Sequence, residues 1–226
     1  ILFLYFYPYI YMIKIFVPIK LNSQRLPRKM FLPLGDKLLC QHIFYTLLEV
    51  KKEFGNKCEV YCFCSDEKIT EYLPKGIKFL KRDSELDQNE TKGMQIYKSF
   101  LNIIDDGDIY VLCHATSPFI KKESIISGLK AMLDKGHDSA LSVSRVQTFC
   151  WYKNKTLNYD LNNIVRTQDI EPIIWETSAF FMFEKHILQN MNRRIGKNPY
   201  FVETDRIESI DIDEKEDYDL ALKLAQ

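Results

Sequence analysis

Two rhythms of apolar residues alternate along this chain. Short runs at 13–19, 59–64, 77–80, 109–113 and 139–144 have the length and continuity of buried strands. Between them, at 37–51, 67–73, 92–104 and 122–135, apolar side chains recur every three or four positions, as on one face of a helix. Gly136 follows the last of these as a C-terminal stop signal. Strands alternating with helices predict an α/β domain built on a doubly wound, mostly parallel sheet. From about 147 to 177 the rhythm fades into polar and aromatic residues, which reads as an inserted excursion of irregular strands or hairpins. A hydrophobic strand returns at 178–183. A short helix, a strand near 200–203 and a final strand and helix over 208–225 complete the expected elements.

Composition narrows the class. The chain has 226 residues, 46% of them hydrophobic, which suits one α/β domain with a small appendage. Lys plus Arg and Asp plus Glu number 31 each. That balance argues against coating nucleic acid or an anionic membrane, because such proteins need surplus cations to replace condensed counterions. Any anion site must be local. Cysteines 40, 58, 62, 64, 113 and 150 lie mostly in apolar runs with no CxxC pair, as expected of reduced thiols in a cytoplasmic protein. Cys62 and Cys64 share a strand face, but no second Cys or His pair stands near to complete a metal site. Residues 1–11, ILFLYFYPYIY, carry no charge, no basic leader and no small-residue cleavage site, and are too short to span a bilayer. They read as an upstream extension, sticky tail or edge strand before a functional chain that starts at Met12.

In open α/β sheets ligands bind beyond the carboxyl ends of strands, so the loops that follow strands are where chemistry is expected. Lys20-Leu-Asn-Ser-Gln-Arg-Leu-Pro-Arg-Lys-Met30 follows the first strand with four cations and no acid. It offers amides, a hydroxyl and positive charge to an anion, although a basic loop can equally be solvated, and it matches neither dinucleotide nor P-loop spacing. Cys113-His-Ala-Thr-Ser-Pro-Phe-Ile120 ends a buried strand, and Ser117 before Pro118 also reads as a helix entry. In Ser209-Ile-Asp-Ile-Asp-Glu-Lys-Glu-Asp217, an extended backbone places Asp211 and Asp213 on one side and Ile210 and Ile212 on the other. Carboxylates about 7 Å apart can address one hard cation. A capping role for Asp213 before the last helix is the competing reading, and it leaves Asp211 without a structural task.

Together these loops resemble, in order and from about Met12 to the end, the nucleotide loop, the TSP(L/F) turn and the S-I-D-I-D strand of acylneuraminate cytidylyltransferases. Ser65-Asp66 and Arg82-Asp-Ser-Glu-Leu86 resemble that family's S-T-D and R-P-x-E-L segments. The resemblance implies a Rossmann-like nucleotidyltransferase fold. It also implies Mg²⁺-dependent transfer of CMP from CTP to a sialic-acid-type α-keto sugar acid, with release of pyrophosphate. On that footing Lys20, Asn22, Ser23, Arg25, Lys29 and Arg82 bind the nucleotide, and Asp211 and Asp213 hold Mg²⁺. Lys29 and Asp211 serve catalysis, while His114, Thr116, Ser117, Arg166 and Gln168 face the sugar. A homodimer is implied, since the excursion in this family reaches a second subunit. The chain departs from the pattern at Lys20 (usually Arg), His114 (usually Gln) and Thr177-Ser178 (usually Asn-Gly). Two alternatives stay open: the same fold acting on another acceptor such as Kdo, a sugar phosphate or a phosphonate, and a silent nucleotide-binding homologue.

Overall fold

A computed structural model describes residues 11–225. The expected extension at 1–11 therefore lies outside the described residues except for Tyr11, which packs against the core. The main sheet has strands β1 (Ile13–Ile19), β2 (Cys58–Cys64), β3 (Lys78–Lys81), β4 (Ile109–Cys113), β5 (Ser139–Val146), β6 (Ile173–Glu184) and β7 (Pro199–Glu203). Their order across the sheet is β3-β2-β1-β4-β6-β5-β7, and every pairing is parallel except those of β6 with β4 and β5. The order reverses between β1 and β4, which opens a crevice at their carboxyl ends.

The strands read as unbroken apolar runs because helices cover both faces of the sheet. On one face α1 (Leu39–Phe54) and α3 (Lys122–Lys135) bury Ile43, Leu47, Ile125 and Leu129 against Ile15, Val17, Val60 and Val111. On the other, α2 (Gly93–Ile103) and α4 (Lys185–Met191) bury Tyr97, Phe100, Ile187 and Leu188 against Phe16, Phe63, Leu112 and Phe183. Phe16 and Phe100 stack with centroids 4.2 Å apart. The doubly wound, mostly parallel sheet is thus as expected, and Gly136 closes α3 at φ 72°.

Two expected elements differ. The helix expected at 67–73 is a 3₁₀ run, Glu67–Tyr72, capped by the Asp66 carboxylate accepting from the Lys68 amide. Pro74 follows at once and disfavours a helical conformation at Leu73, so the run cannot lengthen. No strand forms at 208–213. After β7 the Asp205 carboxylate accepts from the amides of Ile207 and Glu208 and turns the chain out of the sheet. After a turn at 206–209 the segment is joined to the β4–α3 loop by the Ile212 amide donating to the Thr116 carbonyl at 2.8 Å.

A third, smaller cluster fixes the crevice. Leu26 of the basic loop, Leu34, Leu39, Ile212 and Ala221 are buried together, with Tyr218, Leu222 and Ala225 of α5 (Lys215–Leu224) packed on them. The alternation expected for Ile210 and Ile212 therefore holds, but it serves docking onto α5 and the loop rather than sheet pairing. The excursion contains one short hairpin, Trp151–Tyr152 with Lys155–Thr156, and exposes most of its large side chains. Among the described residues no helix is long and apolar enough to cross a membrane.

Candidate active site

The basic loop is held from within. Leu26 anchors its middle, and Lys29 opens a 3₁₀ turn, Lys29–Phe31, that carries its side chain inward. The Lys29 ammonium is buried, donating to the Ile212 carbonyl at 2.8 Å and to Asp213 Oδ1 at 3.0 Å. Arg25 reaches the other oxygen of the same carboxylate, Nη2 to Oδ2 at 2.8 Å, with Glu214 at 3.8 Å. Burial opposes ionisation of Asp213, but the hydrogen bonds and charges of Lys29 and Arg25 outweigh it and hold the carboxyl below its ordinary pKa.

Asp213 does not cap α5. Asp217 does so, its carboxylate accepting from the amides of Asp213 at 3.0 Å and Glu214 at 2.9 Å. Ile212 is buried in the third cluster, and its neighbours Asp211 and Asp213 are half-buried. Asp211 Oδ1 is buried and has no hydrogen-bond partner. An unpaired buried carboxylate oxygen is costly, and it is the kind of atom a bound cation would satisfy.

The loop after β4 adds neutral donors. The Thr116 carbonyl receives the Ile212 amide, and the buried Ser117 hydroxyl has no partner. Ser117 is not a helix cap. Glu208 serves the start of α3, accepting from the Lys121 amide at 3.0 Å and the Ser124 hydroxyl at 2.7 Å. His114 Nδ1 bonds the Ser178 carbonyl, which can only accept, so Nδ1 carries the proton and the Nε2 lone pair is left over. Burial pushes the His114 pKa below its ordinary value, against the opposing pull of that hydrogen bond and of the Asp211 charge.

The remaining expected residues divide. Lys20 donates to Asn89 Oδ1 at 3.2 Å. Asn22 lines a cleft of about 400 Å³ with Leu21, Ser65, Asp66 and Asp87, while Ser23 stands half-buried beside it in the loop. Arg82 is buried and already engaged, donating to the carbonyls of Ile19 at 3.0 Å and Phe63 at 3.4 Å and pairing with Asp87, so it braces the ends of β1 and β2. Arg166 and Gln168 sit on the exposed excursion, where Arg166 forks onto Asp169 at 2.7 and 3.1 Å and the Gln168 carbonyl accepts from Gln147. Cys62 and Cys64 are buried in the core with thiols pushed up by burial. Among the described residues no cluster of three or more His, Cys, Asp or Glu could hold a metal ion.

Sequence reasoning singled out Thr177-Ser178 on β6 but missed Arg194 beside them. Thr177 is buried with its hydroxyl unpartnered, and Ser178 has φ 63°, in the left-handed region, where the pairing of β6 shifts register. Arg194, from the loop after α4, pairs with Glu176 at 2.9 Å and covers the Phe181 ring. The adjacent cations Arg193-Arg194 were the only local signal.

The basic loop and the carboxylate pair are thus joined across the switch point of a doubly wound sheet. The chain belongs to the cytidylyltransferase family, which it matches over residues 15–226. It is 24% identical over 211 residues to an N-acylneuraminate cytidylyltransferase of Streptococcus agalactiae, covering 89% of this chain and 50% of that protein. An N-acylneuraminate cytidylyltransferase A of Danio rerio is 24% identical over 154 residues, covering 65% and 36%. The chain thus spans half or less of the length of these relatives. Among solved structures, a CMP:2-keto-3-deoxy-manno-octonic acid synthetase complexed with CTP superposes with TM-score 0.69 at 15% identity, covering 94% of this chain and 98% of that one. A 4-diphosphocytidyl-2C-methyl-D-erythritol synthase from Anaerococcus prevotii gives TM-score 0.64 at 11% identity, covering 95% and 96%. Identities this low show a common fold alone.

Proposed function

We propose that this chain transfers CMP from CTP to an α-keto sugar acid of sialic-acid type and releases pyrophosphate. The observation that carries the reading is Lys29, which ties the basic loop to Asp213 and Ile212 across 184 and 183 residues and so joins the loop's cations to the carboxylate segment. Nucleotidyl transfer asks mainly for positioning and neutralisation of charge, and both are represented here.

Arg25, Lys20, Asn22 and Ser23 bind the triphosphate from the solvent side, while the buried Lys29 keeps its place between loop and carboxylate. A triphosphate competes with Asp213 for Arg25 and in leaving with it exposes the carboxylate. Asp211 and Asp213 suit Mg²⁺, which characteristically takes one or two carboxylates together with substrate phosphates; the unsatisfied Asp211 Oδ1 supports this fit. Bound there, Mg²⁺ supplies neutralisation of phosphate charge. His114 Nε2 accepts a hydrogen bond from an acceptor hydroxyl, with Thr116 and Ser117 beside it. The exposed Trp151, Tyr152, Leu161, Ile164 and Trp175 support a homodimer in which a second copy covers the excursion and receives Arg166 and Gln168.

The solved structures of similar fold support a second reading, the same transfer to a different acceptor such as Kdo. Pyrophosphate release by the purified chain with CTP, Mg²⁺ and a panel of acids containing N-acetylneuraminate and 3-deoxy-manno-octulosonate tests both. Turnover with N-acetylneuraminate supports the first reading, and turnover with 3-deoxy-manno-octulosonate alone supports the second. No turnover, together with a CTP-induced rise in melting temperature, leaves a nucleotide-binding homologue.

A further inference from the structure

Arg194 is not among the residues that the family motifs bring to the site, yet three contacts place it at the acceptor side. Its guanidinium carbon lies 3.6 Å from the centroid of the Phe181 ring. Its Nη2 donates to Glu176 Oε2 at 2.9 Å. His114 meets the same Phe181 ring edge-on, with centroids 6.3 Å apart. The geometry of β6 explains the meeting. Phe180 pairs with Cys113 at the last position of β4, and the His114 amide donates to the Ala179 carbonyl. Because β6 runs antiparallel to β4, residues 176–178 project past the carboxyl end of β4 into the crevice. Glu176 then holds Arg194 at that height.

We propose that Arg194 is a specificity-determining residue that recognises a carboxylate of the acceptor. The inference rests on the transfer reading above and adds to it a residue and a chemical selection. A guanidinium offers five donors in a planar fork. The pairing with Glu176 engages one nitrogen and the Phe181 ring covers one face of the guanidinium, so a fork edge is left for a planar anion. The side chain is a third exposed, reachable by a ligand yet shielded on one face. On β6, Thr177 follows Glu176 and its buried hydroxyl has no partner, while His114 presents Nε2; both are neutral groups suited to the hydroxyls that accompany a sugar's carboxylate.

The alternative is that Arg194 merely covers Phe181. Arg194→Met separates the two, since it keeps an apolar cover and removes charge and fork. The test measures KM for CTP and for N-acetylneuraminate or 3-deoxy-manno-octulosonate, whichever the wild type uses, and repeats the acceptor series with its methyl ester. Arg194→Met is expected to raise the KM for the acid about 10- to 100-fold, the range for a lost charge-assisted hydrogen bond, and to leave the KM for CTP unchanged. Wild type is expected to discriminate the acid from the ester, and Arg194→Met to do so no longer. Arg194→Lys, which keeps the charge without the fork, is expected in between. An unchanged acceptor KM in a folded Arg194→Met, or persisting acid-over-ester discrimination, overturns the assignment and leaves the transfer reading intact. A wild type that turns over none of the acids overturns the transfer reading itself and the assignment with it.

Discussion

The two ends of β1 carry charged clusters that differ in one respect. At the amino end Lys14 is buried within an otherwise apolar strand, and its ammonium is matched by Glu59 at 2.7 Å and Asp106 at 2.8 Å. Tyr61 and Lys78 complete the shell around Glu59. At the carboxyl end the charges are also paired, Lys29 and Arg25 with Asp213, but Asp211 Oδ1, the Ser117 hydroxyl and the Thr177 hydroxyl are buried without partners. Buried polar atoms left unsatisfied cost stability, so their gathering at one end of the sheet points to a ligand rather than to folding. The closed cluster is a structural device, and the open one is where the proposed site lies.

The sharpest way to break that distinction is Asp211→Asn. Given the transfer reading, pyrophosphate release is expected to fall on the order of 10³-fold, about 4 kcal/mol of lost transition-state stabilisation. The melting temperature should hold or rise, because the change lowers the charge at a buried oxygen that has no partner. A folded variant with wild-type activity would take Asp211 out of the site. At the opposite end Lys14→Met should do the reverse. Removing one partner from a buried cluster costs about 3 to 5 kcal/mol when the rest stays dry, and the exposure of Asp106 lowers the expectation to about 2 to 3 kcal/mol. Chemical denaturation checks this, and activity per folded molecule should not move.

Acid sharpens the same contrast. Burial opposes ionisation of Glu59, yet hydrogen bonds from Lys14, Lys78 and Tyr61 outweigh it and bring its pKa from 4.5 down to about 2. A depressed carboxyl pKa means that the unfolded chain takes up the proton first. The stabilisation is therefore complete above about pH 4.5 and is lost as pH falls toward 2. At about 1.4 kcal/mol per pH unit the loss reaches at most about 3 kcal/mol for this group, whose side chain is a quarter exposed. Asp213 is depressed as well and adds to the slope, so the informative measurement is the difference between wild type and Lys14→Met. That difference should shrink between pH 5 and pH 2.5, and a constant gap would separate Lys14 from Glu59.

The sheet was legible from local pattern, because parallel strands covered on both faces must be apolar throughout. The closed end was not, since Lys14 meets Glu59 and Asp106 across 45 and 92 positions. The segment at 208–213 was misread because alternation of Ile and Asp looks the same whether Ile packs under a sheet or against α5. The pairing of Asp211 with Asp213 was read from a strand that the fold does not form. The contact between Lys29 and Asp213 spans 184 positions, and only the resemblance put its two halves together beforehand. Arg194 had no comparable signal. Its place depends on how far antiparallel β6 runs past β4, which is a matter of register across the sheet and not of any local motif.

That overshoot is also where the backbone is strained, and it yields the smallest predicted effect. Ser178 stands where the resembled family has glycine, and it adopts φ 63° at the irregularity between Glu176 and Phe181. A side chain in the left-handed region costs about 1 to 2 kcal/mol that glycine avoids. Glycine gives part of this back through the greater freedom of the unfolded chain. Ser178→Gly should therefore stabilise the protein by about 1 kcal/mol, a rise of roughly 2 to 4 °C in melting temperature for a domain of this size. The bond to His114 uses the Ser178 carbonyl, which the substitution retains, so acceptor KM should be unchanged. Stabilisation with altered acceptor KM would mean that the strained backbone positions His114, and the open end of β1 would then owe part of its geometry to strain as well as to unsatisfied charge.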